Sequence, residues 1–222
     1  MRMASVALIT VTPDAEELLV YMARVSNPVN QGVGQRSERL IQYLIDHKHW
    51  SPFEMVHMVL QIETTRSVAA QILRHRSFSF QEFSQRYADT NLLGSARAPH
   101  LRRQDNSNRQ NSIDDLTADK TQIFYRRINQ HFEEAQDLYR EMVSMGVAKE
   151  CARDVLPLST PTKLYMNGTL RSWLHYTALR CANGTQYEHQ LIATGVKHLL
   201  IQQFPLVSEA MWSGERSEPV KK

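Results

Sequence analysis

The stretch "HMVLQIETTRSVAAQILRHRSFSFQEFSQRY", residues 57–87, changes its period twice. Met58, Leu60 and Ile62 alternate with Val59, Gln61 and Glu63, the two-residue period of a half-buried strand. From Arg66 the spacing lengthens: Val68, Ala69, Ile72 and Leu73 form the apolar stripe of a helix carried through Arg76. Residues 74–87 then gather three arginines, a histidine, three serines, three phenylalanines and a tyrosine around one acid, Glu82. Strand, helix and donor-rich segment stand in direct succession.

On that helix Gln71, Arg74 and His75 stand at i, i+3 and i+4 on one face, with Arg76 rotated by about 140° from Gln71. Cations at a helix C-terminus offset the macrodipole whatever else they do. The sequel asks for more: Ser77, Ser79, Gln81, Glu82, Ser84 and Arg86 continue the donors between Phe78, Phe80 and Phe83. Guanidinium forks and hydroxyls beside aromatic planes suit a phosphate carrying a flat ring.

Outward from this segment, "SVALITV" (5–11) reads as a short buried strand. Thr12 is then expected as an N-cap with Pro13 at the first helical position, opening a helix through Leu18, Leu19 and Met22. Gly32 and Gly34 lack the third glycine and the preceding strand of a dinucleotide fingerprint. Leu40, Ile41, Leu44 and Ile45 mark a second helix. Residues 88–113 show no sustained period and read as a long functional or mobile loop. Phe124, Ile128, Ala135, Leu138, Met142 and Met145 give a long amphipathic helix over 117–145, closed by Gly146. Further helices are expected over 148–156, 168–182 and 186–203, followed by a polar tail, 213–222, without fixed structure.

The helix near 168–182 repeats the cationic theme. Arg171 and His175 share a face, whereas Arg180 falls on the opposite one, across an apolar stripe of Leu170, Trp173, Leu174 and Thr177. Such a helix is either a solvated surface helix or one set between two ligands or subunits. Arg153, in a mostly apolar short segment, would need an anionic partner if buried.

With 222 residues, 42% apolar and 22% charged, the chain is long enough for one core, and a formal charge of +3 does not by itself call for nucleic acid. Cys151 and Cys181 are too few for a disulfide framework and lack zinc spacing, which fits a reducing compartment. The opening "MRMASVALITVTPDAEE" offers only a short apolar run, so neither a signal peptide nor a membrane span is expected, and the chain reads as cytoplasmic. No metalloprotease, Walker or nucleophile-elbow motif is present, and no metal site is expected.

"RHRSFSFQEFS" fits the arginine-histidine-arginine, seven residues, serine signature of the flavin-dependent thymidylate synthases, and the chain resembles that family over most of its length. The similarity extends to "MARVSNP" (22–28), "HWSPFE" (49–54), "AAQILRHR" (69–76), "KECARDVLPLSTPT" (149–162) and "LRSWLHYTALR" (170–180). The resemblance implies a single α+β domain over 1–212, with a central, mostly antiparallel sheet flanked by long helices and no Rossmann motif. It implies a methyltransferase that makes dTMP from dUMP, taking carbon from 5,10-methylenetetrahydrofolate and hydride from FAD reduced by NADPH. It implies a homotetramer with active sites shared between subunits.

Carried onto this sequence, the family pattern assigns dUMP to Gln71, Arg74, Glu82, Ser84, Gln85, Arg86, Arg153 and Arg180. It assigns FAD to His49, Ser51, Arg74, His75, Arg76, Glu82, Thr169, Leu170, Arg171 and His175. Arg180 is the expected catalytic residue: a fixed cation beside the uracil N3 favours its ionisation and raises electron density at C5. Two positions depart from the pattern, Met55 where many members carry histidine and Gln85 where many carry a small residue. The residues alone leave two other readings, a nucleic-acid-binding module with arginines on phosphates and phenylalanines on bases, and a flavoprotein of this fold without folate chemistry.

Overall fold

The computed structural model describes residues 4–31 and 37–213. In chain order its strands are β1 (Ser5–Val11), β2 (His57–Thr65), β3 (Phe78–Glu82), β4 (Arg103–Gln104), β5 (Ser112–Ile113) and β6 (Pro161–Thr169). The helices are α1 (Ala15–Ala23), α2 (Ser37–Asp46), α3 (Arg66–Ile72), α4 (Ala118–Ser144), α5 (Lys149–Ala152), α6 (Leu170–Arg180), α7 (Tyr187–Gln203) and α8 (Pro205–Trp212). Gly32, Gly34 and residues 214–222 lie outside the described residues.

Among the described residues one sheet runs in the order β1-β2-β6-β3 with every pair antiparallel. Alternation sorts its faces. Met58, Leu60 and Ile62 of β2 and Leu164 and Met166 of β6 are fully buried, while Gln61, Glu63, Lys163 and Tyr165 take the other face. The inner face meets a core of Val68 and Ile72 from α3, Trp173 and Tyr176 from α6, and Ile192, Val196 and Leu200 from α7. Trp173 donates its indole N–H to the Met58 carbonyl at 3.0 Å, satisfying the one polar atom of a buried ring.

Several sequence expectations are corrected. "SVALITV" is an edge strand, exposed or half-exposed throughout, with its register shifting between Leu8 and Thr10; an apolar run alone does not say how many neighbours a strand has. Thr12 does not cap α1, because its hydroxyl accepts the His57 N–H at 2.9 Å and ties β1 to β2; Asp14, at φ 48°, starts the helix instead. The helix through Arg76 ends at Ile72, so Arg74 and His75 occupy the following turn, which places the Phe78 N–H on the His75 carbonyl at 3.3 Å. The segment 88–113 is not one open loop, since it contains a 3-10 turn over Thr90–Leu93 and the β4-β5 hairpin. Strands β3 and β6 and helix α8 were not expected.

Helix α4 has the expected length and ends as expected. Gly146, at φ +87°, donates to the Val143 carbonyl, and Val147 donates to Met142 at 2.9 Å, a Schellman closure. The buried positions of α4 are Thr121, Gln136 and Tyr139, while Phe124, Leu138 and Met145 of the expected core stripe are exposed.

Candidate active site

The C-terminal turn of α3, the end of α6 and the start of α7 enclose an open cleft of about 640 Å³. Gln71, Arg74, His75, Gln110, Leu179, Arg180 and Gln186 line it. Arg180 donates its Nε–H to His75 Nε2 at 2.9 Å. His75 is therefore a neutral acceptor at Nε2 and carries its proton on Nδ1. Burial, then the charges of Arg180 and His175, push its pKa down to about 4. Behind it, the His75 ring stands edge-on to Tyr176, with centroids 5.0 Å apart, and Phe78 packs edge-on against Trp173 at 4.7 Å. Phe78 and Phe80 thus brace the turn from the core side and are not free as stacking platforms.

A second group forms where β6 runs into α6. Thr169 caps that helix, its hydroxyl accepting the Ser172 N–H at 3.2 Å and donating to Glu54 Oε2 at 2.7 Å. Arg171 donates to the other carboxylate oxygen of Glu54 at 2.6 Å. Hydrogen bonding from Arg171 outweighs burial and, with Thr169, holds the Glu54 pKa below its ordinary value. His49, Ser51 and His175 are exposed, whereas the Leu170 side chain is fully buried and its N–H is bonded to the Val56 carbonyl at 2.9 Å. Met55 is exposed beside this group in sequence.

The third group lies at the far end of β3, four residues from Phe78 and so roughly 13 Å along the strand. Glu82 Oε1 accepts from Arg66 at 2.9 Å and from the Thr162 hydroxyl at 2.8 Å. Gln85, buried, and Arg153 share a cavity of about 260 Å³ with Arg66 and Asp154. Arg153 lies 3.9 Å from the Asp154 carboxylate and is partly exposed. Arg86 pairs with Glu150 at 3.0 Å, and Ser84 is exposed at the head of a turn.

One chain therefore brings Gln71, Arg74, His75 and Arg180 together and keeps Glu82, Gln85 and Arg153 apart from them. Arg74 and Arg76 are exposed, and among the described residues neither meets a carboxylate. Unpaired guanidinium groups beside a neutral imidazole fit an anionic ligand such as a dinucleotide pyrophosphate. Among the described residues no group of three or more His, Cys, Asp or Glu could hold a metal ion, and no helix is long and apolar enough to cross a membrane.

Residues the sequence reading passed over are Glu54, Arg66, Gln110, Tyr176, Gln186, Glu188 and His189. Glu54 sits inside the quoted "HWSPFE". His189 continues the Ile192–Val196–Leu200 stripe of α7, where a fully buried histidine stands out among apolar residues.

Among the described residues, helices on an antiparallel sheet set arginines around a neutral histidine, an arrangement that suits an anionic ligand and differs from the parallel sheet of Rossmann proteins. Residues 7–206 match the family described as thymidylate synthase complementing protein, and the chain belongs to that family. It is 48% identical over 198 residues to a probable flavin-dependent thymidylate synthase of Paramecium bursaria Chlorella virus 1, covering 89% of this chain and 90% of that one. It is 46% identical over 196 residues to the flavin-dependent thymidylate synthase of Synechocystis sp., covering 88% and 89%. Its fold is similar to that of the UMP/dUMP methylase PolB from Streptomyces cacaoi solved with 5-Br dUMP, with a TM-score of 0.84, 27% identity and 97% of each chain covered.

Proposed function

We propose that this chain converts dUMP to dTMP as a flavin-dependent thymidylate synthase, with 5,10-methylenetetrahydrofolate as carbon donor and NADPH as reductant. The observation that carries the reading is the convergence of the "RHR" turn with Gln71 and Arg180 on one cleft, in a chain of this family. Arg180, fixed through Nε by His75, keeps its terminal NH groups for a ligand and stabilises negative charge that develops on the pyrimidine ring. Gln71 and Arg74 contribute to the same nucleotide site, completed by Glu82, Ser84, Gln85, Arg86 and Arg153. FAD, when bound, supplies the hydride chemistry. Arg74, Arg76 and Arg171 supply cations for its phosphates, with His49, Ser51, His75, Glu82, Thr169, Leu170 and His175 around it. No cysteine is needed as a nucleophile.

The separation of Glu82, Gln85 and Arg153 from Gln71 and Arg180 within one chain supports a homotetramer in which neighbouring copies complete each site. The exposed apolar side chains of α4 support the same arrangement. Residues 1–212 form the catalytic domain, and the two cysteines, Cys151 and Cys181, neither of them in a disulfide, fit a cytoplasmic location.

The test is an anaerobic reaction of the purified protein with FAD, NADPH, dUMP and methylenetetrahydrofolate, scored for dTMP. Product that requires FAD supports the reading. A protein that takes up no flavin and makes no dTMP overturns it.

A further inference from the structure

At the head of α7 a line of hydrogen bonds runs from an ion pair to the cleft. Arg102, at the foot of the β4-β5 hairpin, donates through both terminal nitrogens to Glu188 at 2.8 and 3.0 Å. Glu188 Oε2 also takes Gln186 Nε2 at 2.9 Å. Gln186 Oε1 lies 2.5 Å from Gln71 Nε2, and Gln71 Oε1 lies 3.3 Å from His189 Nδ1. His189 Nε2 lies 3.0 Å from the Tyr176 hydroxyl.

The polarity of this line follows from its charged end. An ionised carboxylate can only accept. Burial raises the Glu188 pKa, but the bonds from Arg102 and Gln186 outweigh it and leave it below the ordinary value. Gln186 must then turn its NH2 group to Glu188 and its oxygen to Gln71. Gln71 must answer with its NH2 group, which turns its oxygen to His189. His189 must carry its proton on Nδ1 and accept from Tyr176 at Nε2. His189 is fully buried, and burial, then the charges of Arg180 and His75, push its pKa to about 3, so it stays neutral. Reversing Gln186 would set oxygen against oxygen at Glu188, and reversing Gln71 would do so at Gln186.

We propose that Glu188 is a positioning residue that acts through Gln186 to lock the Gln71 amide, holding one N–H of Gln71 as a donor to an acceptor oxygen of the nucleotide. Gln71 has two amide hydrogens. Gln186 takes one, and among the described residues no acceptor takes the other. The inference rests on the cleft being the nucleotide site proposed above.

Two readouts test it on the full chain. Proton–nitrogen NMR of the His189 ring, without substrate, reads the tautomer that the line imposes. Titration with dUMP reads the consequence. The parent shows the Nδ1–H tautomer, unchanged between about pH 5 and about pH 8. Glu188→Gln replaces the acceptor-only anchor by a group that can donate or accept; both His189 tautomers appear, and dUMP binding weakens about tenfold. Arg102→Gln, read at about pH 8 where Glu188 stays ionised, removes the ion pair but leaves an amide N–H that can still donate to the carboxylate, so the tautomer persists and dUMP affinity changes by less than about threefold. That variant separates amide polarity from anchoring of the hairpin. An Nε2–H tautomer in a parent that binds dUMP overturns the proposal in its own right. So does a Glu188→Gln protein that matches the parent in both readouts, or an Arg102→Gln loss as large as that of Glu188→Gln. A parent with the Nδ1–H tautomer that binds no dUMP overturns it through its premise.

Discussion

Arg180 and His75, 105 positions apart, are joined by one hydrogen bond from Nε to Nε2 at 2.9 Å. The bond uses the single side-on donor of the guanidinium and leaves its two terminal nitrogens as a fork. Arg180→Ala is expected to keep its flavin, since the groups near α6 and the "RHR" turn persist, while turnover falls by about 10²–10³-fold, the usual cost of losing one donor to developing charge. Flavin absorbance together with the turnover number of the variant checks this. Turnover equal to the parent would remove Arg180 from the chemistry.

Two neutral histidines, His189 fully buried and His75 half-buried, make stability depend on pH. His75 and His189 titrate near 6.5 in the unfolded chain but at about 4 and about 3 in the folded one. Between these values the unfolded state binds more protons, so stability rises with pH and is lost as pH falls from about 6.5 toward 3. Each tenfold difference in proton affinity between the folded and unfolded chain corresponds to about 1.4 kcal/mol, moderated at His75 by its partial exposure. Thermal melts are expected to be insensitive to these groups above about pH 7 and to fall steadily toward pH 4. His189→Gln should give a shallower fall over that range; an unaltered slope would show that His189 does not contribute.

Gly168 faces Phe78 across β6 and β3. A Cβ at this position would lie 2.3 Å from Phe78 Cδ1. The ring cannot yield, because it is packed on Trp173 and starts the strand that follows the "RHR" turn. Gly168→Ala is expected to destabilise the protein by about 1–3 kcal/mol and to weaken flavin uptake by displacing His75. Urea unfolding and flavin titration of the variant test both halves. Parent-like values would mean that the β3 edge has room to move.

What the sequence made legible follows from how local each signal is. β2 was visible because three successive inward positions, Met58, Leu60 and Ile62, are large and apolar, and α4 because Gly146 marks its end. β6 was not, because its inward positions are Thr162, Leu164, Met166 and Gly168, so threonine and glycine break the apolar alternation. In β3, Phe78 and Phe80 alternate with Ser79 and Gln81, a strand pattern that also reads as donors between rings. The difference lies in Trp173, which is distant in sequence and receives Phe78. The cationic turn was readable from "RHR", but its partner Arg180 depends on how α3 and α6 meet. The line through Glu188, Gln186, Gln71 and His189 joins α3 to the head of α7, two segments distant in sequence, and had no local signal beyond a histidine on an apolar stripe.

The exposed face of α4 supplies the last prediction. Ile123, Phe124, Leu138 and Met145 are 56%, 53%, 46% and 77% exposed in the single chain. Burying such side chains against a second copy would contribute about 1.5–3 kcal/mol each, and a carboxylate placed there would oppose association by its desolvation. Phe124→Glu is therefore expected to shift the assembly toward smaller species in sedimentation velocity. Flavin content and turnover should fall with it, although Phe124 does not line the cleft around Arg180. A variant that sediments like the parent would show that this face is not the interface. A parent that sediments as a monomer and still makes dTMP would show that each chain completes its own site, and Glu82 and Arg153 would then have to reach the nucleotide by closure within one chain.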